Sequence, residues 1–74
     1  MKKWYEKAIL EYQKVIEKYS TGNKVVAALL KQGFSFAELG EEANARLILK
    51  ELIKKYTDSK EASFADKKLE SLKK

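Results

Sequence analysis

The sequence predicts an all-α protein made of antiparallel helix-turn-helix units stacked on one another. Three observations predict it. The chain nearly repeats itself at a spacing of 37 residues, so that Ala8, Leu10, Ile16 and Tyr19 return as Ala45, Leu47, Ile53 and Tyr56. A period of roughly 20–50 residues marks a stacked-repeat architecture. Apolar residues recur at intervals of three and four, and there is no proline to interrupt them; such spacing draws one stripe along an α-helix.

The pattern predicts four helices, at about 3–19, 23–39, 42–56 and 59–72. The first carries Tyr5, Ala8, Ile9, Tyr12, Ile16 and Tyr19 on one stripe. Ser20-Thr21-Gly22-Asn23 then breaks it with turn-forming residues. In the second, Val25, Val26, Leu29, Leu30, Phe34, Phe36 and Ala37 occupy most of the circumference, which predicts burial on more than one side. Gly40 follows it, where left-handed geometry suits a glycine, and Glu41 and Glu42 suit the positive start of the third helix. That helix holds Ala45, Ile48, Leu49, Leu52, Ile53 and Tyr56. Thr57-Asp58-Ser59 closes it, and Asp58 with Glu61 has the spacing of a capping box for the fourth helix. The fourth is thinner in apolar residues (Ala62, Phe64, Ala65, Leu69, Leu72), as an end-cap with a wet outer face would be. Lys67, Lys68, Lys73 and Lys74 suit its negative end.

Seventy-four residues make one small domain with a thin core. Without cysteine, no disulfide or thiolate site staples it. Lysine and arginine number 16 against 11 acidic residues, for a net charge of +5, and Arg46 is the one arginine. The lysines are interleaved with glutamate along every segment, which reads as a solvated helix surface; a nucleic-acid footprint would cluster and favour arginine. The longest apolar run, Val25 to Leu30, is far short of the roughly 20 residues of a membrane span. Met1-Lys2-Lys3 is followed by an amphipathic helix and not by an apolar signal segment, so no signal peptide and no membrane insertion are expected.

Chemistry has little to work with. Histidine and cysteine are both absent, which removes the commonest nucleophile–base pairs and most transition-metal sites. Glu41 and Glu42 serve a helix start, and Gly33 and Gly40 follow no strand that would make them a phosphate loop. No enzyme activity, cofactor or metal is expected. Repeat folds of this kind offer a binding surface instead.

Residues 23–57 resemble one tetratricopeptide repeat. Leu29, Gly33, Phe36, Gly40, Ala45, Leu49, Leu52 and Tyr56 carry the likeness, with Thr57 where the family often has proline. Gly33 and Ala45 are expected where two helix backbones approach most closely. The resemblance implies a right-handed α-solenoid. It divides the single domain 1–74 into the second helix of an incomplete repeat (3–20), one complete repeat (23–57) and a C-terminal capping helix (59–74). Within the family, the phrase from Leu29 to Gly40 and the tail from Leu52 to Leu69 look most like the Tol–Pal-associated branch (YbgF/CpoB). That branch implies a bacterial cell-envelope adaptor linked to cell division. It further implies a periplasmic location, an upstream coiled coil and a TolA-like envelope partner; without it a cytoplasmic location is expected.

In such repeats the first helix of each pair lines the concave face. Here that points to Ala27, Leu30, Lys31, Phe34, Ala37 and Glu38 as a groove for a protein or peptide. Lys31 alone could serve a carboxylate clamp, so an apolar groove fits better; packing of Leu30 and Phe34 under a neighbouring helix is the plain alternative. The first helix lacks its own partner, which leaves Trp4, Tyr5, Ala8 and Tyr12 partly exposed. Half-wetting three large side chains forgoes on the order of 3 kcal/mol. A homo-oligomer, a two-fold or helix-swapped dimer first of all, would recover it. The alternative function is therefore a self-associating structural fragment with no ligand of its own.

Overall fold

A computed structural model describes residues 2–19 and 22–72. Four α-helices follow one another: α1 (Lys2–Lys18), α2 (Asn23–Glu38), α3 (Glu42–Lys55) and α4 (Lys60–Leu72). No strand occurs among the described residues. The architecture is thus all-α and tetratricopeptide-like, and each boundary falls within a residue or so of the sequence expectation. Of the predicted break at 20–23, Ser20 and Thr21 lie outside the described residues, as do Lys73 and Lys74 at the end of α4.

The turns have readable causes. α2 ends in a Schellman closure: the Glu41 N–H donates to the Phe36 carbonyl at 2.9 Å and the Gly40 N–H to Ala37 at 3.0 Å. Gly40 takes φ 81°, a left-handed conformation that a Cβ would strain. At the α3–α4 corner the cap differs from the expected one. Ser59, not Asp58, accepts the Ala62 N–H through Oγ at 3.0 Å, and its hydroxyl donates to the Tyr56 carbonyl at 2.8 Å. The reason is the turn before it. The Thr57 hydroxyl closes on the Ile53 carbonyl and the Ser59 N–H on Tyr56, which keeps Asp58 in the turn, one residue ahead of the cap position. Ser59→Ala is expected to cost about 1 kcal/mol, while Asp58→Ala stays within about 0.5 kcal/mol; urea denaturation of the two variants checks the assignment.

α1 packs on α2, α2 on α3, and α3 on α4, with a lighter contact between α2 and α4. The result is a slab of 29 × 28 × 15 Å. Its core joins Val25, Val26 and Leu29 of α2, Leu49 and Leu52 of α3, and Ala62 and Ala65 of α4. From α1, only Ile16 packs against this cluster, and none of its described side chains is fully buried. α2 is buried on several sides, as expected, yet through a different set of residues. Ala28, Gln32, Gly33 and Ser35 join Val25, Val26 and Leu29, whereas Leu30, Phe36 and Ala37 are only half-buried.

Two facts explain that difference. Gly33 seats directly on α3: a Cβ built there would lie 2.6 Å from Leu49 Cδ2 and 2.9 Å from its Cγ. The residues nearest Gly33 are therefore Leu49 and Ile48, where the sequence had paired it with Ala45; Ala45 itself is fully buried. Gln32, 2% exposed, pins α1 to α2. Its amide Nε2 donates to the Ile9 carbonyl at 3.2 Å and to Gln13 Oε1 at 3.0 Å. A buried amide that satisfies both donors fixes the register of two otherwise slippery helices.

Candidate functional site

The repeat spacing allows a controlled comparison inside one molecule. Ala45, Leu49 and Leu52 of α3 are fully buried. Their counterparts one period earlier, Ala8, Tyr12 and Val15 of α1, are all half-buried. The helices share a pattern and differ in neighbours. α3 lies against both α2 and α4, whereas α1 lies against α2 alone. The apolar face of α1 is consequently left partly uncovered.

Two adjoining hollows lie along this face between α1 and α2. The larger, about 410 Å³, is walled by Trp4, Tyr5 and Tyr12 from α1 and by Leu30, Lys31, Phe34, Ser35 and Glu38 from α2. The smaller, about 240 Å³, runs on from Tyr12 and Val15 to Lys24, Ala27, Ala28 and Lys31. Tyr12 and Lys31 border both. Of the groove candidates, Ala27, Leu30, Lys31, Phe34 and Glu38 line one hollow or the other; Ala37 is half-buried and lines neither. Of the self-association candidates, Trp4, Tyr5 and Tyr12 line the larger hollow, and Ala8 sits half-buried between them in sequence. The two groups, separate in the sequence reading, thus form one surface.

Its ends differ in character. Trp4, 65% exposed, meets Tyr5 edge-on at 5.1 Å between ring centroids. Phe34 is 38% exposed, with Lys68 of α4 placed 5.4 Å above its ring. Leu30 beside it is half-buried against the core, so it serves packing as well as surface. At the other end the Nζ atoms of Lys18 and Lys24 stand 5.6 and 4.8 Å from the Tyr19 ring centroid. Tyr19 is exposed, unlike its repeat counterpart Tyr56, which packs against the core.

Phe64 of α4 escaped the sequence reading as a surface residue. It is 51% exposed and stands one period after Ala27; moving the groove positions forward by 37 would have found it. Gln32 and Ser35 were also missed, because a polar residue inside an apolar stripe looks like a solvated one until its partners are seen.

A third hollow, of about 380 Å³, opens between α1, α2 and α3 beside Gln32, with the Glu51–Lys55 ion pair at its mouth. Nothing in either region resembles a reaction centre. Glu41 and Glu42 are exposed and occupied locally, Glu41 by the Asn44 amide at 2.8 Å and Glu42 by Arg46 at 3.9 Å. Among the described residues no cluster of three or more metal-ligating side chains occurs, and no helix is long and apolar enough to cross a membrane.

No curated protein and no solved structure matches the chain. Residues 27–59 match the family model described as tetratricopeptide repeat. They run from the second turn of α2 through α3 to the Ser59 cap. Members of that family are non-catalytic repeats that generally mediate protein–protein interaction, and the match together with the four-helix fold supports a tetratricopeptide-repeat protein.

Proposed function

We propose that this protein is an interaction module that captures a protein partner on the face shared by α1 and α2. The observation that carries the reading is the joining of Trp4, Tyr5, Tyr12, Leu30 and Phe34 around one continuous apolar surface edged by Lys24, Lys31 and Glu38. Large rigid side chains bury area at little entropic cost, so aromatic clusters dominate binding energy where they are found. Phe34→Ala is expected to weaken partner binding by about tenfold or more, and Lys31→Ala by only a few-fold because an exposed charge is screened. Calorimetric titration with a captured partner checks this; equal loss in both variants, or none, would remove the groove.

The finer reading is a complete repeat at 23–57 between an incomplete one at 3–20 and a cap at 59–74, in an adaptor of the Tol–Pal type. Its support is the phrase Leu29 to Gly40 and the closing segment Leu52 to Leu69. On that reading the protein works in the periplasm, in cell division, with a TolA-like envelope protein as partner. Titration with a purified TolA-like protein tests it, and failure to bind would remove the branch while leaving the interaction function intact. A second reading is self-association, favoured by the exposure of Trp4 and the half-burial of Tyr5, Ala8 and Tyr12. Sedimentation equilibrium over a wide concentration range separates the two.

A further inference from the structure

We propose that the occupant of the α1–α2 face is an amphipathic helix of a partner protein, with an acidic first turn and a glycine at its centre. It would lie on α1 as α2 lies on α3. This rests on the interaction function proposed above and names the partner's chemistry.

The 37-residue period supplies the template. α3 is covered by α2 and α4, and the position that α2 holds on α3 is the one with no occupant on α1. The uncovered stretch runs from Trp4 to the exposed Tyr19, about 22 Å at the rise of an α-helix, so about four turns would fill it. α2 runs antiparallel to α3, so the occupant runs antiparallel to α1 and parallel to α2. At its middle it must pass over Tyr12, which stands where α3 has Leu49. α2 passes over Leu49 with a glycine, Gly33, and with no room to spare. The bulkier tyrosine makes the same demand: glycine at the crossing.

The orientation sets the charge. The first turn of the occupant falls beside the start of α2, where Lys24 edges the smaller hollow and Lys18 and Lys24 crowd the same Tyr19 ring. Lys31 stands further along, and Glu38 is the acidic residue at the far end. Carboxylates in a helix's first turn complement its own dipole and would here meet two or three ammonium groups. α1 of a second copy has no acidic residue in its first turn, and α3, which has one, is packed between α2 and α4. α4 carries Asp66 and Glu70 where α2 carries Leu29 and Gly33. A copy's α2 is already enclosed by α1, α3 and α4.

Trp4 is the chain's single tryptophan, so its emission reports this face directly. The full chain would be titrated with three synthetic helix-forming peptides of about 14 residues. The first has two glutamates in its first turn, a leucine stripe and a central glycine; the second replaces the glutamates with lysine; the third replaces the glycine with leucine. The expected result is a saturable blue shift with the first peptide and affinities at least about tenfold weaker for the others. Lys24→Glu with Lys31→Glu, both exposed changes, is expected to reverse the preference between the acidic and basic peptides. Equal affinity for all three, binding by none, or no reversal in the double variant overturns the proposal. So does a chain that sediments as a dimer with Trp4 already blue-emitting. A protein partner that depends on Phe34 and leaves Trp4 emission unchanged would sink the docked helix and keep the interaction function; independence of both residues would sink the two together.

Discussion

Leu49→Ala is expected to remove about half or more of the protein's stability, while Tyr12→Ala, at the same place in the repeat one period earlier, removes little of it. Leu49 is fully buried at the centre of the core, in contact with Gly33 and enclosed by α2 and α4. Emptying such a site costs about 2–5 kcal/mol, because its neighbours cannot collapse into the space. A domain of this size has about 5 kcal/mol in all, at the lower end of the usual range. Tyr12 packs on one neighbour helix and is already half in water, so its truncation forfeits about 1 kcal/mol, half or less of what full burial supplies. Circular dichroism during urea titration should show Tyr12→Ala with a midpoint close to that of the parent and Leu49→Ala with a midpoint lowered by about half or more. Similar losses in both would mean that α1 is as well supported as α3, and the uncovered face would disappear with it.

The same pair shows what was legible in the sequence and what was not. Periodicity places helices because it records which side of each helix meets apolar neighbours, and the four spans follow from it to within a residue or so. It cannot say how many neighbours there are. Tyr12 and Leu49 hold identical positions in the pattern, and only the packing separates them. The contact of Gly33 was legible as a close approach, but its partner was displaced by one turn from Ala45 to Leu49. Helices crossing at an angle bring a glycine over the side chain of the next turn as readily as over a small residue. Gln32 illustrates a different loss. Its two donated hydrogen bonds run to α1, residues 9 and 13, and no local pattern encodes a long-range amide. Ser59 was overlooked because Asp58 stands at capping-box spacing from Glu61, while the turn geometry chose its neighbour.

The site was legible in pieces. Spacing identified Phe34 and Leu30 on one helix and the aromatic residues of α1 on another. Their union into one surface is a consequence of how Gln32 sets α1 against α2, which brings Tyr12 to border both hollows. The proposed binding surface therefore depends on a register-setting contact whose two glutamines line the other hollow. The exposed ion pairs, such as Lys14 with Glu11 at 3.5 Å, contribute little to that register.

Gly33→Val is expected to be the second most damaging single change, and Leu49→Ala is expected to relieve it. A glycine inside a helix normally costs up to about 1 kcal/mol relative to alanine, so replacing it should stabilise α2 wherever space allows. Here a Cβ would stand 2.6 and 2.9 Å from Leu49 Cδ2 and Cγ and 3.6 Å from Ile48 Cγ2. Leu49 has no solvent-facing direction in which to retreat, so α2 and α3 must separate. Overpacking of that kind costs about 1–3 kcal/mol, enough to outweigh the propensity gain, and valine's second branch extends the clash to Ile48. In the double variant the new methyl groups fill part of the space that Leu49→Ala vacates. The two losses should then fall short of additivity by about 1 kcal/mol or more, since residues in contact couple by about 0.5–3 kcal/mol. Urea denaturation of the parent, both single variants and the double variant measures the coupling. Additive losses would mean that the two helices do not meet at Gly33.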